Sequence, residues 1–161
     1  MTKEQESKLL TLTTNKELLD YIQGEVEESW DEEWLVQMDK AWNAIHRCLT
    51  DGTLNVKGSD IYEKCILGGK SLYTSDDYII TYISSGQVQK VERAINDIAK
   101  STFRNKYFGM KKKFLWIDLT DYDGPLNEED FEYTWSYFED LRCFFAKVAN
   151  TERSIIFTVD Q

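Results

Sequence analysis

Apolar residues recur along this chain in two rhythms. The first is the three-and-four spacing of a helix. Phe131, Trp135, Phe138, Leu141, Phe145 and Val148 fall on one such stripe and predict the longest helix, beginning at an Asn127 cap. Glu128, Glu129 and Asp130 follow that cap and complement the positive end of the helix. Val88, Val91, Ile95, Ile98 and Ala99 form a second stripe, capped by Ser84 or Ser85. A third runs from a Thr14 or Asn15 cap to about Val26 and buries Leu18, Leu19, Ile22 and Val26. A fourth runs from about Lys40 to Thr50 with Asp39 as its N-cap, and Trp42, Ile45, His46 and Leu49 share its face. Asp51-Gly52 closes it, the glycine supplying a left-handed turn. Shorter helices are predicted from Asp60 through Cys65 and Ile66, stopped by Gly68-Gly69, and from Ser101 or Thr102 over Phe103 and Tyr107.

The second rhythm is that of strands. Tyr78–Ile83 is dense in β-branched and aromatic residues, and Ser154–Val159 ends the chain in the same way. Leu9–Thr13 reads as a short strand or strand end, and Phe114–Ile117 as an extended segment before a turn at Tyr122-Asp123-Gly124-Pro125. Helices set between strands predict an α+β fold. The expected architecture is one layered domain over residues 1–161, a mixed β-sheet packed by helices.

Composition supports a folded core. Hydrophobic residues are 42% of the 161, aromatics 14%, and five are Trp, too apolar for a disordered chain. A single proline and the lack of any Pro/Gly/Ser-rich stretch leave no linker that would divide it. The first residues carry no apolar run after their charges, and no stretch reaches the roughly 18 apolar residues of a membrane span, so a cytoplasmic protein is expected. Cys48, Cys65 and Cys143 are dispersed and odd in number, which is no disulfide framework and no zinc spacing.

Charge changes the picture most. The net charge is −10, which repels nucleic acid and anionic membrane and steers the chain toward a basic partner. Two stretches concentrate it. Glu25, Glu27, Glu28, Asp31, Glu32 and Glu33 stand together without a base, with Trp30 and Trp34 among them. From Asp118 to Asp140 there are nine acids and again no base, while Lys100, Arg104, Lys106 and Lys111–Lys113 form a local basic segment.

Catalytic chemistry finds little support. His46 is the one histidine, and on the apolar face of a helix it reads first as a buried, hydrogen-bonded residue. Without a second histidine or a cysteine at ligand spacing, no transition-metal site and no cofactor is expected. Gly68-Gly69-Lys70-Ser71 lacks the leading glycine of a phosphate-binding loop, which is Lys64 here. Asp118–Gly124 has carboxylates at calcium-loop-like spacing, but Tyr122 stands at a ligand position, so an ordinary acidic turn is the reading. No catalytic residue is assigned.

Asp39-Lys40-Ala41-Trp42-Asn43-Ala44-Ile45-His46 resembles the Asp-Lys-x-Trp-x-x-apolar-His helix of the YfbM-like family (domain of unknown function 1877) of uncharacterised bacterial proteins. The likeness continues in Leu49-Thr50-Asp51-Gly52, in Ile66-Leu67-Gly68-Gly69, in the helices Val88–Ala99 and Phe131–Ala149, and in the terminal strand. The chain departs where the family opens with a glycine-rich lead into an aromatic strand, having Leu9–Thr13. It departs again where the family carries an Ile-Tyr-Pro-like segment, having Leu115-Trp116-Ile117. The resemblance implies a layered fold with a mixed sheet and brings no activity. Asp39, Trp42 and His46 carry over as motif residues without an assigned role.

The functional expectation is a non-enzymatic protein-binding module, most concretely an immunity protein that neutralises a basic bacterial toxin domain. Its contact is expected on Glu25–Glu33, with Trp30 and Trp34 as anchors. The alternative is an enzyme or small-ligand binder using a pocket near Trp42 and His46.

Overall fold

Tyr78–Ile83 lies at the middle of the fold as β2, and its composition explains why. Alternate side chains of a strand point to opposite faces, and β2 finds an apolar layer on each. Ile80 and Tyr82 pack with Leu9, Leu18, Tyr21 and Ile22, whereas Ile83 joins the larger core of the helices. Thr81, buried on that second face, donates from Oγ1 to the Ile66 carbonyl at 2.9 Å. A strand covered on both faces needs no polar alternation.

The computed structural model describes residues 1–56, 58, 60–75, 78–110 and 122–160. Among them the chain forms α1 (Lys3–Thr11), α2 (Asn15–Tyr21), α3 (Ala41–Leu49), β1 (Lys70–Thr74), β2, α4 (Ser85–Asn96), α5 (Lys100–Phe108), α6 (Glu128–Ala149) and β3 (Ile155–Asp160). The sheet order is β1-β2-β3, with Tyr78 opposite Asp160 and Ile83 opposite Ile155. Both pairings among the described residues are antiparallel. The result is the expected α+β layering: α1 and α2 cover one face of the sheet, and α3 to α6 the other.

The long stripe of α6 behaves as its spacing predicts. Phe131, Trp135, Phe138, Leu141, Phe145 and Val148 are all buried, and the Asn127 side chain accepts the Asp130 N–H at 2.8 Å. Phe103 of α5 stacks on Phe138 with ring centroids 4.7 Å apart. The acids along this part of α6 are largely committed to its neighbours. Arg104 bonds Glu128, Lys100 bonds Glu132 at 2.6 Å, and both Tyr107 and Tyr122 donate to Asp130.

Two expectations are corrected, and one strand is added. Leu9–Thr13 is not a strand, because Thr2 and Gln5 cap each other reciprocally and start α1, which carries Leu9 into the core over β2. Asp39 is not the cap of α3. It sits in left-handed backbone (φ 40°), one residue too early, and its carboxylate instead accepts the Tyr133 hydroxyl at 2.9 Å. Strand β1 was hidden in Lys70-Ser71-Leu72-Tyr73-Thr74, whose edge position leaves it half-exposed and without a clean alternation. Its leading glycines serve that strand and not a phosphate. A side chain on Gly69 would begin 2.6 Å from the Tyr82 carbonyl, and one on Gly68 would meet the Glu63 backbone. The extended segment expected at Phe114–Ile117 lies outside the described residues, as does most of the Asp118–Gly124 turn.

Candidate functional site

After α2 the chain continues as a π-helical turn (Ile22–Glu27) and then must reach α3 on the opposite face of the sheet. It does so past the outer edge of β3. We call residues 28–40 the strap. Its path is irregular because its sequence is: four acids within its first six residues cannot pack on one another, and Trp30 and Asp39 both take left-handed backbone, φ 41° and 40°. Non-glycine residues adopt that conformation at a cost and cluster at functional sites. Between them a single short 3-10 turn, Glu32–Trp34, is the only regular element of the strap.

Strap and sheet do not close on each other. Between them lies a cavity of about 590 Å³, walled by β3 along its length, by Trp34–Met38 of the strap, by Trp42 of α3 and by Phe144 and Phe145 of α6. A smaller hollow of about 300 Å³ lies against Trp30, Leu35, Gln37 and Asp140. The larger cavity is of a size that takes a ligand or a segment of another chain.

The residues singled out in the sequence divide sharply here. Glu27 is structural. Its Oε1 accepts from Thr158 Oγ1 at 2.6 Å and from the Tyr78 hydroxyl at 2.7 Å, tying the start of the strap to the sheet. Burial and that bond push the Tyr78 phenol well above its ordinary pKa. Glu25 pairs with Lys8, and Glu33 with Lys147 at 3.6 Å. Trp34 is clamped, with the Arg153 guanidinium 3.9 Å and the Lys147 ammonium 4.3 Å from its ring centre. Glu28, Asp31 and Glu32 are exposed and have no ion pair among the described residues, and Trp30 keeps 54% of its surface open. Of these four, Trp30 and Asp31 also line the cavity.

The family-motif residues part company too. Trp42 lines the cavity and packs on Phe157 of β3 with ring centroids 5.9 Å apart. His46, one turn on, is fully buried and does not line it. Neither ring nitrogen has a hydrogen-bond partner among the described residues, contrary to the expectation of a bonded core histidine. Burial lowers its pKa to about 4, only partly offset by the Glu63 carboxylate, so it is neutral at physiological pH. Cys48 and Cys65 are buried, and burial raises the Cys48 thiol to about 12, the opposite of an activated nucleophile. Among the described residues no three metal-binding side chains come together, and no helix is long and apolar enough to cross a membrane.

Sequence reasoning missed the apolar half of the site. Leu35, Val36 and Met38 follow the acids directly, and Leu35 remains 40% exposed. An apolar run with no helical or strand period, set after an acidic one, was the available signal. Arg153, the basic side chain that clamps Trp34 and lines the cavity, was unread because nothing local marks it.

The family described as Domain of unknown function (DUF1877) matches over residues 1–158. A solved structure similar to this one is that of YfbM from Escherichia coli, itself described as a protein of unknown function. Identity is 16% and the TM-score 0.66, covering 100% of this chain and 96% of that one, a likeness of fold. No curated protein matches.

Proposed function

The chain belongs to the DUF1877 family, and from its own surface we propose that it is a non-enzymatic protein-binding module, an immunity protein that docks a basic toxin domain on its strap. One observation carries this reading. Glu28, Asp31 and Glu32 are free of ion pairs among the described residues and lie within two residues of the exposed Trp30, which with Asp31 lines the apolar cavity. An aromatic anchor within a charged rim is the anatomy of a tight interface, and the net charge of −10 adds long-range attraction for a cation. The second acidic stretch is a weaker candidate, since Glu128, Asp130 and Glu132 already have partners.

Small-ligand binding has one observation in its favour, the presence of Trp42 in the cavity wall. It lacks the titrating group the sequence offered, because His46 stands outside that wall.

Survival is the test. A panel of basic bacterial toxin domains is expressed with the wild-type chain or with Glu28→Lys, Asp31→Lys and Glu32→Lys combined. The wild type is expected to protect, and the triple variant, equally well folded, to fail. Equal protection by both chains would remove the strap from the interface, and no protection by either would end the immunity reading.

A further inference from the structure

The cavity has an unusual wall. Strand β3 pairs only with β2 among the described residues; Met1 exchanges backbone bonds with Ser154 just before it, and beyond that point the N–H and C=O of every second residue point away from the sheet toward the strap. Opposite them, residues 35–38 belong to no helix or strand, Leu35 is extended, and no backbone N–H of these four is taken by another backbone group among the described residues. A strand edge left unpaired by the described residues, inside an apolar slot, is a template for one more strand.

We propose that the bound partner inserts an extended, cationic peptide segment as a strand on β3, within the slot beneath the strap. This rests on the protein-binding reading above and specifies its mode. The chemistry of the segment follows from the walls. Its alternate side chains would meet Trp42 and Phe157 on one side, so those positions are apolar. The others would face the acidic rim of Glu28, Asp31 and Glu32, so those positions are Lys or Arg. Arg153, the basic side chain in the wall, is already stacked on Trp34 and leaves that preference intact. A second copy of this chain is the other candidate for a free edge, but two chains of net charge −10 would bring like-charged rims together.

Main-chain pairing can be tested on the ligand without altering the protein. The probes are a short peptide of alternating lysine and valine and the same peptide N-methylated at alternate residues, which keeps every charge and removes backbone donors. With the full chain, the unmodified peptide is expected to bind and to slow amide hydrogen exchange at every second residue of β3. N-methylation is expected to weaken binding at least tenfold. Equal binding of both peptides would overturn strand addition and leave a charge-driven contact on the strap. Binding of a basic toxin domain with neither peptide bound would do the same. Outward β3 amides already protected in the free protein, or protection accompanied by dimerisation in sedimentation, would also overturn it. The protein-binding reading fails separately, through the survival experiment with the charge-reversed strap.

Discussion

Glu27 and Thr158 stand 131 residues apart in the chain and 2.6 Å apart in the fold, carboxylate to hydroxyl. The bond joins the last turn before the strap to the strand whose edge the strap passes. With the Tyr78 hydroxyl on the same oxygen, Glu27 is the pin on which the strap begins. Bonds to a charged acceptor are worth roughly 1.5–3 kcal/mol each, and their loss leaves two hydroxyls to resolvate. Glu27→Ala should therefore cost about 2 kcal/mol or more in urea unfolding, and Glu27→Lys at least as much. Glu28→Lys, one residue on, should stay within about 0.5 kcal/mol of wild type. A Glu27→Lys chain as stable as wild type would show that the pin carries no load.

His46 sets a pH dependence. Its folded pKa, about 4, lies below the ordinary value of 6.5, so in acid the unfolded chain takes up a proton before the folded one does. Stability is complete above the unfolded value and falls as pH drops toward the folded one. Linkage puts the loss at about 2 kcal/mol between about pH 7 and about pH 5. His46→Leu removes the titrating group along with two unbonded ring nitrogens, and should flatten that part of the profile without loss at neutral pH. Parallel profiles for the two proteins would assign the acid sensitivity elsewhere.

Trp30 offers a trade between stability and binding. Left-handed backbone costs a non-glycine residue roughly 1–2 kcal/mol, part of which a glycine regains against its own greater chain entropy. Trp30→Gly should leave thermal stability unchanged or raise it by up to about 1 kcal/mol. Its affinity for a partner should fall at least tenfold, because the exposed ring is gone. A variant that loses stability would mean the ring packs more firmly than its 54% exposure shows.

Trp42 carries both roles. Truncation to alanine removes its contact with Phe157 and opens the cavity further, at a cost of about 3 kcal/mol. Trp42→Phe retains an aromatic contact and should cost less than half of that, read by urea denaturation. Similar losses for the two would point to the indole N–H instead of packing.

The elements legible in the sequence were those in which one rule dominates. The α6 stripe, its Asn127 cap and the doubly apolar β2 have a period or composition that no alternative shares. Leu9–Thr13 was misread because a short apolar run is ambiguous between strand and helix. The deciding residues, Thr2 and Gln5, lie upstream of it. Asp39 looked like a cap because its type and position fit within a residue. Only the backbone conformation, imposed by where the strap re-enters the core, shows that its carboxylate turns to Tyr133. In the candidate site, charge drew attention to the acidic stretch from which the strap begins. What sequence could not show is which acids are spent on Lys8, Lys147, Tyr78 and Thr158, since each partner is remote in the chain or lies on another element. The cavity lies where β3 is an edge among the described residues, a property of strand order.

Because β2 has apolar neighbours on each face, the described residues form two cores with a three-stranded wall between them. The smaller sets Leu9, Leu18, Tyr21 and Ile22, all from the first part of the chain, against Ile80 and Tyr82 of the wall. Such a layer is a natural unit of sub-global opening, able to lift while the helical side stays folded. Its departure would uncover the faces of Ile80 and Tyr82 together and release the Glu27 pin. The open form would present a continuous greasy sheet to solvent, the kind of surface that drives self-association. Trimming the first helices from this chain thus does not yield a smaller soluble core; it converts the wall into an adhesive.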